Sequence, residues 1–258
     1  MDDEPSERPR LGPDHLDTLS AAHRRGAVLP PGDPEAITIV REVLERRRRL
    51  PGMDHRESIN TASNLAMCLA AAGAYDEARK IDEDALARRR RTLGEEHPDT
   101  IQSVNNLGDR FSSLGDHVAA IALHRQALEI RSRNLGEYHP DTLRTKSSLA
   151  RDLANLGRQD EALTLATAAH NNLERTLGSD HRATMAAAEV LGHALRASGY
   201  FEKAVAVDEV NLFRRQSLLG EDHLETVNSI SLLAEDLRQL GRFDEAEQLE
   251  RTGRFRPE

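Results

Sequence analysis

The sequence predicts an all-α solenoid of about six helix-turn-helix units. Three observations predict it: a helix-rich composition, a 42-residue recurrence of histidine and glycine, and apolar residues spaced four apart between them. Of the 258 residues 31% are charged and only 3% aromatic, with no Trp. Ala, Leu, Glu and Arg dominate, and each of them favours helix.

The recurrence runs through His55, His97, His139, His181 and His223, with His15 a slightly shorter step ahead. Leu-Gly-x-x-His stands at Leu93-Gly94, Leu135-Gly136, Leu177-Gly178 and Leu219-Gly220, and Ser58, Thr100, Thr142, Thr184 and Thr226 follow the histidines. Gly73, Gly115, Gly157, Gly199 and Gly241 then divide each unit into two segments. The units fall at about 11–50, 51–92, 93–134, 135–176, 177–218 and 219–258, after a charged tail, 1–10, expected to be disordered.

The first segment of each unit carries a large-small pair: Leu65-Ala66, Leu107-Gly108, Leu149-Ala150, Leu191-Gly192 and Leu233-Ala234. Leu69, Phe111, Leu153, Leu195 and Leu237 follow four residues after each Leu, which places them on one helix face. The second segment opens on acids, as at Asp76-Glu77, Asp160-Glu161 and Asp244-Glu245, before Ala78, Ala120, Ala162, Ala204 and Ala246. Acids at the start and arginines at the end suit the helix dipole, and glycine at the end suits a left-handed cap. One unit cannot bury both faces of its helices, so the units must stack.

The net charge of −9 and the scarcity of aromatics argue against nucleic-acid binding, which needs phosphate neutralisation and stacking platforms. The lone Cys68 excludes an internal disulfide framework and suits a reducing cytoplasm; it reads as a small core residue. Leu65 to Ala74, the longest apolar stretch, is far short of the roughly 20 residues a membrane span needs. No phosphate loop, dinucleotide fingerprint or His-Glu-x-x-His motif is present, so neither an enzyme nor a cofactor is expected. The histidines occur once per unit, too far apart for a shared metal, and a turn role is expected. The arginine runs Arg46 to Arg49 and Arg88 to Arg91, weaker at Arg131, Arg133, Arg175, Arg214 and Arg215, are expected to serve helix ends and ion pairs.

The Leu-small pair, the apolar residue four on, the Ala opening the second helix and the link Leu-Gly-x-x-His-Pro-Asp-Thr, complete at Leu93 to Thr100 and Leu135 to Thr142, resemble the tetratricopeptide repeat. The resemblance is to the long 42-residue variety of kinesin light chains and covers roughly residues 11 to 252. The link departs from the pattern at Arg56-Glu57, Arg182-Ala183 and Leu224-Glu225. The resemblance implies a right-handed superhelix whose first helices line a concave channel. It places Asn60, Ser63, Asn64 and Met67 there, then Gln102, Asn105, Asn106 and Asp109, then Arg144, Ser147, Ser148, Arg151 and Asn155. Glu189, His193 and Arg196, and finally Asn228, Glu235 and Arg238, complete the set. Asn64 and Asn106 match the asparagine with which such repeats bond a peptide backbone, whereas Ser148, Val190 and Leu232 do not.

The expected function is a cytoplasmic, non-enzymatic scaffold binding an extended peptide or helix of a partner protein, without nucleic acid or membrane. One alternative is a sensor array working with a separate nucleotide-switch protein. Another is a self-assembling array, associating weakly through apolar surface at its terminal repeats.

Overall fold

The computed structural model of the protein describes residues 12, 15–30, 32–50 and 52–253. The expected tail, 1–10, and the segment 254–258 lie outside the described residues. The chain forms two compact units, Met1–Leu114 and Gly115–Glu258. Within the first lie α1 (Leu16–Val28), α2 (Pro34–Arg49), α3 (Arg56–Ala71), α4 (Tyr75–Leu93) and α5 (Pro98–Ser113). The second holds α6 (His117–Leu135), α7 (Pro140–Asn155), α8 (Gln159–Leu177), α9 (Arg182–Ala197), α10 (Phe201–Leu219), α11 (Leu224–Gln239) and α12 (Phe243–Thr252). No strand occurs among the described residues, and none of their helices is long and apolar enough to cross a membrane.

The recurring histidine has a specific task. His15, His55, His97, His139, His181 and His223 each precede a first helix in extended conformation, and Nδ1 accepts the backbone N–H two residues on. The distances are 3.1–3.3 Å, as for His139 and the N–H of Asp141 at 3.1 Å. The imidazole thus satisfies an amide that the helix start leaves without a partner, as Ser or Asp does at other N-caps. Pro98 and Pro140 at the first helical position pre-set the backbone after two of them.

The glycines take positive φ, but those ending α4, α6, α8 and α10 are not in the left-handed helical region. Gly94, for example, has φ 92° and ψ 168°. That extended mirror-image conformation belongs to glycine alone and sends the chain directly toward the next histidine cap. The left-handed cap expected at helix ends does occur after the first helices, where Gly73, Gly157, Gly199 and Gly241 have φ of 76–80° and the paired cap hydrogen bonds, such as Gly73 N–H to Ala70 and Ala74 N–H to Leu69, and again at Gly253 after α12, with φ 66° and ψ 6°.

The large-small pairs form the core. In the first unit Val40 and Leu44 of α2 meet Leu65, Ala66 and Leu69 of α3 and Ala78 of α4. In the second unit Leu149, Ala150 and Leu153 pack with Ala162, Ala166, Leu191, Ala194, Leu195 and Ala204. A further cluster joins Val205 and Leu212 to Leu233, Ala234, Leu237, Ala246 and Leu249. Cys68 is buried, as its helical position implied.

The arginine runs hide a second structural device. In four of the second helices one arginine is buried, Arg47, Arg89, Arg131 and Arg215, whereas α8, with Arg175 exposed, buries Leu173 in that register. Each reaches the next first helix and donates to a hydroxyl there: Thr61 (2.6 Å), Ser103 (2.5 Å), Thr145 (2.6 Å) and Ser229 (2.6 Å). Each also donates to a first-turn carbonyl of that helix, Glu57, Asp99, Asp141 or Glu225. The sequence expectation of helix-end and ion-pair roles suits their neighbours, such as Arg88 with Asp54 and Asp84, and also Arg47 with Glu57 and Arg215 with Glu189, but the bonds to hydroxyls and carbonyls of the next helix go beyond it. They are buried cross-links, charge-assisted and multidentate.

At the far end of the second unit, α12 exposes Glu247 and Glu250 at the positions where α10 buries Val205 and Asp208. The same last repeat also exposes Leu224, Val227 and Phe243.

Candidate functional site

In the second unit the first helices α7, α9 and α11 line one groove of about 370 Å³. The histidine caps fix the starts of these helices, and the Leu-small pairs turned into the core leave the opposite faces outward. From α7 come Arg144, Ser147, Ser148, Arg151 and Asn155. From α9 come Ala183, Ala186, Ala187, Glu189, Val190, His193 and Arg196, and α11 adds Leu232.

Several charges of this groove are already engaged. Arg144 pairs with Asp141 one turn back on α7. Glu189 accepts from Arg215 at 2.7 Å. Arg196 is held between Asp208 and Asp236, with 2.9 Å to the latter. Burial first, then the neighbouring Arg196 and Arg151, push the His193 imidazole below its usual pKa and favour its neutral form. His193 Nδ1 has no hydrogen-bond partner, and neither has the hydroxyl of Ser147, which is only 9% exposed. The groove wall therefore holds two polar groups whose bonding capacity is unused, which is costly unless something fills it.

In the first unit several residues expected on the channel face are hydrogen-bonded within the unit. Asn60 accepts from the buried Arg89 at 2.8 Å. Asn64 is hydrogen-bonded to His23 Nε2 at 2.8 Å, and Gln102 donates to Asn106 at 2.7 Å. Asn105 donates to Asp109 at 3.2 Å and is 9% exposed, as is Ser147 in the same register one repeat later. Of the ten sharpest sequence candidates, the structure gathers Arg144, Ser148, Arg151 and His193 in one groove. Asn60, Asn64, Gln102, Asn105, Asn106 and Asp109 belong to the first unit and are not part of that groove.

Comparison with known proteins places this architecture. The family profile of the tetratricopeptide repeat matches residues 57–133 and 112–175, and a second tetratricopeptide profile matches 231–249. The chain belongs to the tetratricopeptide-repeat family. Among solved structures, a Podosopora anserina protein of nearly identical TPR-like repeats, assigned to the kinesin light chains, is 23% identical with a TM-score of 0.64. That match covers 81% of this chain and 99% of the other. BtubC (BKLC) from P. vanneervenii is 20% identical over 86% of this chain and 92% of its own, with a TM-score of 0.64. A Rap protein complexed with Competence and Sporulation Factor is 12% identical over 90% of this chain and 68% of its own, with a TM-score of 0.65. These likenesses show a shared fold. No match was found among curated proteins.

Within this tetratricopeptide solenoid, sequence reasoning missed the apolar part of the groove. Ala183, Ala186 and Val190 occupy positions where α7 carries Asp141, Arg144 and Ser148, and α5 carries Asp99, Gln102 and Asn106. Aligning the units column by column, and asking which one had lost its polar residues, would have found them.

Proposed function

We propose that this tetratricopeptide-repeat chain is a non-enzymatic protein-interaction scaffold acting in the cytoplasm, and that the groove of α7, α9 and α11 receives an extended peptide or a helix of a partner protein. The observation that carries the reading is the pair of unsatisfied polar groups, Ser147 and His193, in the wall of a groove that is otherwise ordered and partly apolar. The Rap protein of similar fold, captured with Competence and Sporulation Factor, supports it by analogy of fold. The lone, buried Cys68 suits a reducing compartment.

The test is site-specific photo-crosslinking in the host cell. Asn155, exposed at the groove, is replaced by p-benzoylphenylalanine in one variant, and Phe213, exposed on α10 outside the groove, in another. A discrete protein adduct from position 155 and none from position 213 is the expected result. Equal labelling at both, or labelling from position 213 alone, would place the binding surface elsewhere.

A further inference from the structure

Three helices of the second unit meet at a single guanidinium. Arg196 of α9 donates to Asp208 of α10 and, at 2.9 Å, to Asp236 of α11. Asp208 is 3% exposed and Asp236 fully buried, and the two carboxyl groups are also hydrogen-bonded to each other, which requires one proton between them. Burial is the main cause that pushes both carboxyl groups up, Asp208 to about 7. Their mutual bond acts in opposite senses, raising Asp208 and lowering Asp236, so Asp208 is the donor and Asp236 the ionised acceptor. With the proton in place, one positive and one negative charge are buried. Without it, two carboxylates share one guanidinium away from water, and Asp236 Oδ1 has no partner to take up the excess charge.

The charges nearby do not replace that proton. On α11, Glu235 adds negative charge beside Asp236. On α9, burial and Arg196 keep His193 toward its neutral form, and Glu189 is taken by Arg215. Arg242 and Glu245, at the start of α12, act on Glu209 of α10 instead. Gly192 of α9 backs the Asp208 carboxylate so closely that an added Cβ would lie 2.6 Å from it, so the side chain has no room to withdraw on that side. Among the described residues α11 packs chiefly on α10 and α12. Its Val227 is 44% exposed, where Met185 and Leu143 in the same register are buried. The last repeat is thus held mainly from the α10 side, by the cluster of Leu233, Leu237 and Leu249 and by Asp236, and a repeat held on one side opens separately from the array.

We infer that the proton shared by Asp208 and Asp236 is a latch that holds α11 and α12 against α10, and that its loss as pH rises releases these two helices together while α7 to α10 stay packed. Arg196 and Leu232 also line the groove, so the latch sets the position of that wall. An aspartate in the released repeat titrates near about 3.9. The closed form therefore binds the proton more tightly, is favoured at low pH and loses ground as pH rises through about 7. Between pH 6 and pH 8 this linkage makes opening about ten-fold more favourable.

The test is amide hydrogen exchange of the full chain at pH 6 and pH 8, read by mass spectrometry and corrected for the intrinsic pH dependence of exchange. At pH 8 the protection of 224–252 is expected to be about ten-fold below its value at pH 6, and about ten-fold or more below that of 140–177. Asp208→Asn keeps a donor toward Asp236 that does not ionise, and should hold the protection of 224–252 constant. In the unsubstituted chain, carbon-13 NMR of labelled aspartate should show a side-chain carboxyl titrating near pH 7. Equal protection of the two segments at pH 8 would overturn the separate release of α11 and α12. No loss of protection, the same loss in Asp208→Asn, or no aspartate titrating near pH 7 would overturn the shared proton as the latch. The exchange needs no partner protein, so its outcome is independent of the crosslinking at position 155.

Discussion

Two helix junctions of the second unit occupy equivalent positions one repeat apart and are built from opposite chemistry. Between α10 and α11, Arg215 is buried and donates to Ser229, to the Glu225 carbonyl and to Glu189, while Asp208 and Asp236 share Arg196. Between α8 and α9 the same positions hold Leu173 against Ala187, and Ala166 in one cluster with Ala194. The backbone course is the same in both, so the tetratricopeptide scaffold does not require the buried polar cross-link. Replacing both partners of a buried polar pair by apolar side chains of fitting shape is often neutral or stabilising, whereas removing one partner is not. The difference also reaches the groove. Glu189 is satisfied by Arg215, but Ser147, its equivalent one repeat earlier, would look to position 173 for a donor and finds Leu. The apolar junction thus leaves the buried Ser147 hydroxyl without the donor that Glu189 has.

The largest effect should come from forcing one chemistry into half of the other junction. Leu173→Arg places a guanidinium against Ala187, where only the Ser147 side offers a hydroxyl and the Thr145-like partner is missing, and should cost about 3–5 kcal/mol by urea denaturation. Adding Ala187→Thr rebuilds the arrangement of Arg131 with Thr145 and should return at least about 1 kcal/mol. A strictly additive double variant would show that the two positions do not communicate and that the comparison between junctions has no energetic content.

An intermediate effect separates the junctions by pH. Burial, opposed by Arg196, pushes the Asp208 carboxyl up to about 7, and burial also raises Asp236, its neighbour on the same guanidinium. In the unfolded chain an aspartate titrates near about 3.9. The folded form therefore holds a proton that the unfolded form releases, so this contribution to stability is complete below about pH 4 and is lost as pH rises through about 7. The melting temperature is expected to fall between pH 6 and pH 8, and Asp208→Asn to flatten most of that slope. Asp82 in the first unit, raised to about 6 mainly by burial, adds a slope of the same sign at lower pH. An Asp208→Asn profile parallel to the parent would assign the pH dependence to other groups.

Most of the fold was legible because it is periodic: histidine, glycine and the Leu-small pair repeat with the helices they delimit. The histidine cap was legible only as a turn, since nothing in a sequence says that Nδ1 faces the amide two residues on. The buried arginines were obscured by their surroundings. Arg47 and Arg89 sit inside runs of four arginines, and only the helical phase of one residue in each run turns inward. The candidate site was half legible. Arg144, Ser148, Arg151 and His193 were found by the family's channel register, which follows helix geometry. Asn64 and Asn106 fitted the same register, but their bonds to His23 and Gln102 depend on side-chain contacts that register does not encode. The apolar part of the groove was overlooked because it is an absence: at 183, 186 and 190 α9 lacks the polar residues that α7 carries at 141, 144 and 148.

The smallest effect concerns how each junction dictates the residue opposite it. A Cβ added at Gly192 of α9 would lie 2.6 Å from an Asp208 carboxylate oxygen, and that carboxylate is tethered by Arg196. At the equivalent position one repeat earlier, Ala150 sits comfortably because Ala166 stands where Asp208 would be. Helix propensity alone makes Gly→Ala in a helix interior stabilising by roughly 0.8–1.0 kcal/mol. Gly192→Ala should instead destabilise by about 1 kcal/mol, because displacing a buried, paired carboxylate costs more than the backbone gains. In an Asp208→Ala background the obstruction is gone and the sign should reverse, with Gly192→Ala adding up to about 1 kcal/mol. The reversal, read from chemical denaturation of the four variants in the cycle, would show that glycine is kept at 192 by the charged junction beneath it. A gain of the same size in both backgrounds would mean that Asp208 yields freely and that the ionic junction is softer than its geometry suggests.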